Sequence, residues 1–258
     1  MTNRDIAHAA LSLTEPPYLH HYREGRFREW RGVAFVASEL PGPGFCFAAV
    51  LRDNAMSLDE LLPVAREFFA GCGQGWGVLV EGDAGHPMEA ELRARGWSVA
   101  EDEPAYVLPD LAAVTTRGAT ELVVRVAKSQ ADADAYKAVT AAAFEAPPEM
   151  ADLMVPSLAF AIDPDIALVI GSVGGVDVCA AGYSRSGTTA VLSGVATLAP
   201  HRGRGYGDAV SRATLVYAAT RGCTTAALRS GPKSIPVYER IGFRYVCQHR
   251  TYAAPAEV

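Results

Sequence analysis

A turn rich in glycine and arginine separates a β-favouring run from a long apolar-periodic segment in the C-terminal half of the chain. The turn, Arg202-Gly203-Arg204-Gly205-Tyr206-Gly207, follows the run Val195-Ala196-Thr197-Leu198. Glycine lets a backbone bend tightly and bring its N–H groups close to a ligand. Where such a turn begins a helix, free amides and the helix dipole together form an anion site. We therefore expect a phosphate or pyrophosphate to bind here.

Two common phosphate-binding motifs fit this turn poorly. A Walker loop ends in Gly-Lys-Ser/Thr, whereas Gly207 is followed by Asp208. A dinucleotide fingerprint spaces its glycines as G-x-G-x-x-G, whereas these glycines stand at positions 203, 205 and 207. Neither of these motifs therefore accounts for the turn.

A second motif identifies the class of protein. Tyr238 stands shortly before Gly242-Phe243, and one predicted helix and one predicted strand separate it from the turn. The pair resembles the Gcn5-related N-acetyltransferase (GNAT) family, whose acyl-CoA loop reads Gln/Arg-x-x-Gly-x-Gly/Ala and matches Arg202-x-x-Gly205-x-Gly207. The resemblance covers residues 120–255. It implies an α/β fold with a central mixed β-sheet flanked by helices, and acetyl transfer from acetyl-CoA to an amine of a small molecule or peptide.

The resemblance also implies roles for particular residues. Tyr238 would contact the cofactor and protonate the departing thiolate, although an aromatic residue that only packs its helix would suit the same position. Two departures from the family pattern concern the neighbouring loops. Proline stands at 200 rather than 199, and Gly231 and Ser234 replace the family's Asn and Ala, so we expect Ser234 to cap the helix. The coenzyme A contacts would come from the backbone of Val195, Ala196 and Thr197, and from Arg202, Gly203, Arg204, Gly205, Tyr206 and Gly207.

A general base is harder to identify. The predicted strands 188–198 and 224–229, where the family often carries an acidic residue, contain no Asp or Glu. Glu145, with Glu149 and Asp152 nearby, lies where the family forms its acceptor pocket, and a water chain is the alternative. The missing strand carboxylate keeps a second hypothesis open, in which the protein is a catalytically silent acyl-CoA-binding regulatory module. The loop together with Tyr238 favours an enzyme.

The elements that position these motifs follow from hydrophobic periodicity. The N-terminal half predicts helices at 5–12, 17–24, 57–70 and 87–94, with strands at 30–38, 45–52, 76–80 and up to 108. The C-terminal half predicts helices at 131–144, 149–160, 206–221 and 234–241, with strands at 122–127, 167–173, 177–185, 188–198, 224–229 and 243–253.

The two halves of the chain repeat the same order of elements. Aligning Gly96-Trp97 with Gly242-Phe243 places Tyr106 on Tyr252 and Leu92 on Tyr238, and residues 52–57 contain no glycine. We therefore expect two GNAT-like folds in tandem, a degenerate copy at 1–112 and an acetyltransferase domain at 119–258. A chance similarity of two α/β halves is the alternative. The arrangement also resembles mycothiol synthase, without establishing its substrate.

Composition restricts partners and compartment. The chain has 258 residues, a net charge of −6 and a pI near 5.5, which argues against nucleic acid as the main partner. Five scattered cysteines and no apolar run of membrane-spanning length predict a cytoplasmic protein with reduced thiols, a monomer or homodimer without a membrane partner. Adjacent His20 and His21 would point to different faces of a helix, so we expect no metal site.

Overall fold

Eleven strands join into one mixed sheet in the computed structural model, which describes residues 1–51, 56–72, 75–83, 85–117 and 119–255. Most of the glycine-free segment 52–57 lies outside these residues, as do Gly73 and Gly118. No helix within the described ranges is long and apolar enough to cross a membrane. The predicted α/β fold, a mixed sheet flanked by helices, is confirmed.

The sheet has the strand order β1-β2-β3-β4-β11-β5-β10-β9-β8-β7-β6. The strands are β1 (Arg26–Trp30), β2 (Val33–Ala37), β3 (Phe47–Val50), β4 (Gly77–Glu81), β5 (Ser98–Leu108), β6 (Val123–Val126), β7 (Ile166–Val173), β8 (Val176–Ser186), β9 (Thr189–Thr197), β10 (Thr225–Arg229) and β11 (Arg244–Ala253).

The helices cover both faces of this sheet. A π-helical turn at Ala9–Leu13 extends the first one, and only a 3-10 turn at Leu19–His21 forms where a helix over 17–24 was predicted. The helices are α1 (Asn3–His8), α2 (Leu58–Phe68), α3 (Pro87–Ala94), α4 (Gln130–Phe144), α5 (Pro148–Met154), α6 (Leu158–Ala161), α7 (Tyr206–Thr220) and α8 (Ile235–Ile241).

The internal repeat is visible in the order and pairing of the strands. The series β3-α2-β4-α3-β5 recurs as β9-α7-β10-α8-β11, and in each series the first two strands pair in parallel. The last strands are exchanged between the halves, because β4 pairs with β11 whereas β10 pairs with β5. Each half therefore completes the sheet of the other.

The register between β5 and β11 obeys the same symmetry. Tyr106 lies opposite Tyr245, and its repeat counterpart Tyr252 lies opposite Val99. The alignment that places Gly96 on Gly242 also places Tyr106 on Tyr252 and Val99 on Tyr245, so the two pairs are equivalent. It places Glu103 on His249, which are themselves a pair at the centre of the two strands. This pairing supports the predicted tandem repeat. It also shows that the halves 1–112 and 119–258 share one sheet.

Helices α7 and α8 pack on one face of the second half, and α4 and α5 pack on the other. Tyr206, Leu215 and Tyr238 share a core with Leu192 of β9, whereas Tyr136 of α4 packs with Ala196 of the same strand. The N-terminal helix α1 lies on the same face as α4, where Ala7 covers Ala105, Ala227 and Cys247. A segment of the N-terminal half therefore covers the C-terminal sheet.

His249 is buried beneath this N-terminal segment. Its side chain is 1% exposed, and neither ring nitrogen has a hydrogen-bond partner within the described ranges. Burial lowers the pKa of His249 well below 6.5, and the nearby charges of Arg229 and His8 lower it further. The folded protein therefore holds this imidazole neutral.

The buried imidazole should make the protein sensitive to acid. Below about pH 6.5 the His249 side chain binds a proton in the unfolded chain but not in the folded protein. The free energy of unfolding should therefore fall as pH falls. The contribution is up to about 1.4 kcal/mol per pH unit. Urea unfolding of the full chain between pH 7.5 and 5 should show a shallower decline for His249→Leu than for the natural protein. Equal declines would contradict this assignment.

Candidate active site

The strands β9 and β10 separate from each other at the centre of the second half. They pair only through Thr189–Val191 and Thr225–Ala227, although β9 continues to Thr197. Beyond Val191, no strand of the described residues pairs with the edge of β9 that faces β10. We call this gap between Leu192–Thr197 and the end of β10 the wedge. Val195, Ala196 and Thr197, predicted to contact coenzyme A, all lie along it.

A β-bulge in β9 accompanies the wedge. Ala180 of β8 lies opposite Ala196, but Gly182 lies opposite Ser193, so that Gly194 and Val195 share one partner position. Gly194 has φ +59°, and a Cβ there would collide with the Tyr136 hydroxyl. Bulges of this kind bend a strand and shift its alternation. The shift explains why Leu192 faces α7 whereas Ala196 faces α4.

The glycine turn joins the wedge to the N-terminus of α7. Gly205 is the N-cap of α7 with φ +82°, and it makes no side-chain cap. In the described part of the chain, the amides of Gly203–Asp208 donate to no backbone carbonyl, and the first regular bond runs from Ala209 to Gly205. Six consecutive N–H groups are thus available beside the positive end of a helix dipole, as an anion requires.

The side chains of this turn are less available than its amides. The Arg202 guanidinium donates to the carbonyls of Thr197 and Ala143, at 3.1 and 2.9 Å, so Arg202 holds the turn against β9 and α4. Tyr206 is buried and donates to Glu121. Arg204 is exposed. The turn therefore presents the Tyr206 backbone and the Arg204 charge to a ligand, rather than the phenol.

Tyr238 lies on α8, in the core on the same face as α7. It is 8% exposed and packs edge-on against Phe243. Burial raises the pKa of Tyr238 to about 12, so the phenol keeps its proton at neutral pH. The described residues include no hydrogen-bond partner of its hydroxyl. In the N-terminal repeat the corresponding residue is Leu92, which is fully buried and carries no titratable group.

The predicted cap of α8 is wrong. Ser234 precedes α8, but its side chain makes no cap hydrogen bond. Its φ and ψ of −97° and −13° are helical, whereas a side chain caps from the extended region. The Ser234 carbonyl instead accepts from the Val237 amide at 3.0 Å.

A cavity of about 550 Å³ lies beside the wedge on the face of α4 and α1. Val191–Gly194 of β9 form one wall, α4 and α5 a second, and the segment from Ala10 to Tyr18 a third. Strands β2 and β3 contribute Val36 and Phe47. Both halves of the chain therefore build the cavity, and a volume of this size suits a small-molecule ligand.

The acidic residues suggested by sequence stand outside this cavity. Glu145 ends α4 in the left-handed conformation, with φ 54°, and its side chain is exposed. Glu149 is exposed, and Asp152 forms an ion pair with Lys137 at 3.0 Å. None of the three lines the cavity. The charged residues that do line it are Glu103 of β5 and Arg229 of β10, which sequence reasoning missed because β5 was assigned to the other half.

Among the described residues, two groups of side chains have the spacing of metal ligands. His20 and His21 both contact the same oxygen of Asp163, at 3.1 and 3.0 Å, and their rings lie 4.0 Å apart. The expectation that these histidines point apart is wrong, because the tight 3-10 turn that carries them replaces the predicted α-helix. Asp163 thereby ties the N-terminal segment to the C-terminal half.

The second group is His8, Cys247 and His249, beneath the N-terminal segment. Burial raises the pKa of Cys247 to about 11, so the thiol keeps its proton at neutral pH, whereas a metal binds the thiolate. We therefore assign no metal to this group.

Comparisons with known proteins agree with this geometry. Residues 142–243 match the family described as acetyltransferase (GNAT) family. No curated protein matches the chain. A GCN5-related N-acetyltransferase from Kribbella flavida has a similar structure, with a TM-score of 0.70 and 18% identity over 92% of this chain and 91% of its own.

Two further solved structures share the fold. A conserved protein of unknown function from Staphylococcus epidermidis gives a TM-score of 0.67 and 14% identity, over 92% of this chain and 96% of its own. A tandem GNAT protein from the clavulanic acid biosynthesis pathway gives 0.57 and 14%, over 86% and 78%. At such identities these likenesses show the fold alone. Residues 142–243 are thus similar to the GNAT acetyltransferase family, and the whole chain has the fold of these solved structures.

Proposed function

We propose that this protein is an N-acetyltransferase that moves an acetyl group from acetyl-CoA to an amine of a small molecule or peptide, by direct attack. One observation carries the proposal. The wedge between β9 and β10 leads directly into a turn whose amides donate to no backbone carbonyl of the described residues. An extended thioester with a pyrophosphate at one end matches both features, because the strand edge can bond an amide chain and the turn can bond an anion.

The residues along the wedge fit coenzyme A. Backbone groups of Val195, Ala196 and Thr197 would hold the pantetheine, and the amides of Gly203–Gly207 would hold the pyrophosphate. Arg204 would add a positive charge, while Arg202 keeps the turn against β9. Acetyl-CoA would supply an acetyl group activated as a thioester.

Tyr238 would supply a proton to the leaving sulfur. A phenol with a pKa of about 12 is protonated at neutral pH, so it can donate to a thiolate formed beside it. The cavity on the opposite face of the sheet would hold the acceptor, because the wedge is the gap between strands through which the two faces of the sheet are connected.

A silent acyl-CoA-binding regulatory module is the second candidate. The observation that favours it is the lack of Asp and Glu in β9 and β10. A module of this kind would bind acetyl-CoA through the same turn but would release no free thiol with any amine. Thiol release with acetyl-CoA and an amine panel distinguishes the two candidates.

Replacing Gly205 should weaken coenzyme A binding. Gly205→Val places a β-branched residue at φ +82°, which distorts the turn that presents the amides. Gly175→Val is the matched control, because Gly175 also has φ +82° and open surroundings but lies in the β7–β8 turn. Calorimetry should show affinity at least about tenfold weaker for Gly205→Val alone, a change of about 1.4 kcal/mol. Equal affinities in the two variants would refute the role of the turn.

Removing the Tyr238 hydroxyl should slow turnover without weakening binding. Tyr238→Phe keeps the ring that packs against Phe243. If the phenol donates a proton to sulfur, kcat should fall by about 10²–10⁴-fold when chemistry limits the rate. Steady-state kinetics and coenzyme A calorimetry on both proteins provide the measurement. Unchanged kcat would mean that Tyr238 only packs α8.

A further inference from the structure

The cavity beside the wedge is apolar over most of its surface. Its walls include Phe47, Phe160 and Leu168 deep in the fold, and Phe144 and Met154, which are 58% and 41% exposed. Partly exposed large apolar side chains beside an apolar cavity are typical of an entrance for an apolar ligand.

Charged side chains line this cavity at the junction of β5 and β10. Glu103 of β5 and Arg229 of β10 are the charged residues that line it, and the titratable tyrosines Tyr18, Tyr22, Tyr136 and Tyr183 are its other ionisable groups. Arg229 has a neighbouring carboxylate in Glu101, at 3.9 Å. Within the described residues Glu103 has no ion-pair or hydrogen-bond partner. Its strand neighbour His249 is held neutral, so Glu103 is the carboxylate available to a ligand.

Glu103 stands at the same end of the cavity as the wedge. Ala105, two residues along β5 on the same face, pairs with Arg229, the last residue of β10. Glu103 therefore extends beyond the end of β10, where β9 and β10 have already separated. A ligand amine bound to Glu103 would lie at the mouth of the wedge.

Resting on the proposed function, we propose that the acceptor is a primary amine on an apolar body. The cavity binds the apolar body, and Glu103 from the N-terminal half takes the proton from the ammonium group. A single carboxylate suits a single ammonium group. A polycation would place its further charges against apolar walls, where unpaired charge is strongly disfavoured.

The proton and bond changes balance in this arrangement. One ammonium proton passes to Glu103, and the nitrogen lone pair forms a bond to the acetyl carbon. The carbon–sulfur bond breaks, and the sulfur receives the Tyr238 proton. The second nitrogen proton is lost as the amide forms and returns to Tyr238 through water, while Glu103 releases its proton to solvent. The products are the N-acetyl amine, the free thiol and one proton.

A series of linear amines tests the substrate class. With acetyl-CoA and the full chain, butylamine, hexylamine and octylamine should give kcat/KM values that rise about threefold to fourfold per added methylene, since burying one CH₂ contributes about 0.8 kcal/mol. Spermidine should be a poor acceptor. Turnover of spermidine above octylamine would overturn the substrate class while leaving the acetyltransferase function in place. No thiol release with any amine, despite coenzyme A binding, would instead refute the proposed function.

Filling the cavity tests where the apolar body binds. Ala141 of α4 lines the cavity, and the adjacent Ala142 is exposed and does not. Ala141→Trp should lower kcat/KM for octylamine at least about tenfold more than for butylamine, whereas Ala142→Trp should affect both alike. Coenzyme A affinity should be unchanged in both variants. An equal effect of Ala141→Trp on the two amines would place the acceptor elsewhere.

Glu103→Gln tests the base. With octylamine at pH 7, kcat/KM should fall about 10²–10⁴-fold, the range for general base catalysis. The deficit should shrink as pH approaches about 10, where an alkylamine loses its own proton. Asp102→Asn is the control, since Asp102 on the same strand pairs with Arg250 and Gln248 outside the cavity.

A deficit that stays constant with pH would assign Glu103 a structural role and overturn its role as base. An unchanged rate in Glu103→Gln would do the same. Loss of activity in Glu145→Gln, with Glu103→Gln active, would place the base on Glu145 at the end of α4.

Discussion

The antiparallel pairing of β5 with β11 is the constraint on which the rest of this structure depends. These strands end the two repeats. Strand β11 of the second repeat lies between β4 of the first repeat and β5, and β5 of the first repeat lies between β11 and β10 of the second. The exchange places Glu103 of the first half beyond the end of β10 in the second. It also brings α1 and the segment after it over the C-terminal sheet. The cavity beside the wedge exists because the halves interlock.

A second constraint acts inside β9. The bulge at Gly194 changes which residues of the strand face α4 and which face α7, and Tyr136 fills the space that a Cβ would need. On its other edge, β9 pairs with β10 only as far as Val191. The same strand then continues into the turn at Arg202, which is fixed to β9 and to α4 by one carbonyl contact each. The open edge of β9 therefore leads directly into the turn with its free amides.

The N-terminal repeat contributes strands to the shared sheet and to the cavity, but not the tyrosine of the C-terminal repeat. Where the C-terminal copy carries Tyr238, this copy carries Leu92, fully buried in an apolar core. Its strand β5 nevertheless completes the second half of the sheet, and β2 and β3 form part of the cavity. A copy that lacks the phenol can still shape this cavity, because strand pairing depends on register and not on catalytic chemistry.

The sequence by itself determined the features that depend on local spacing. Hydrophobic periodicity predicted the helices at 57–70, 87–94 and 206–221, and the glycine pattern and Tyr238 predicted the GNAT resemblance. Only the tertiary structure decided which strands are exchanged, because pairing between β5 and β11 joins residues far apart in the chain. That pairing brings Glu103 to the cavity and leaves Glu145 outside it. The tertiary structure also places the 3-10 turn of His20 and His21 against Asp163, which lies more than 140 residues further along the chain.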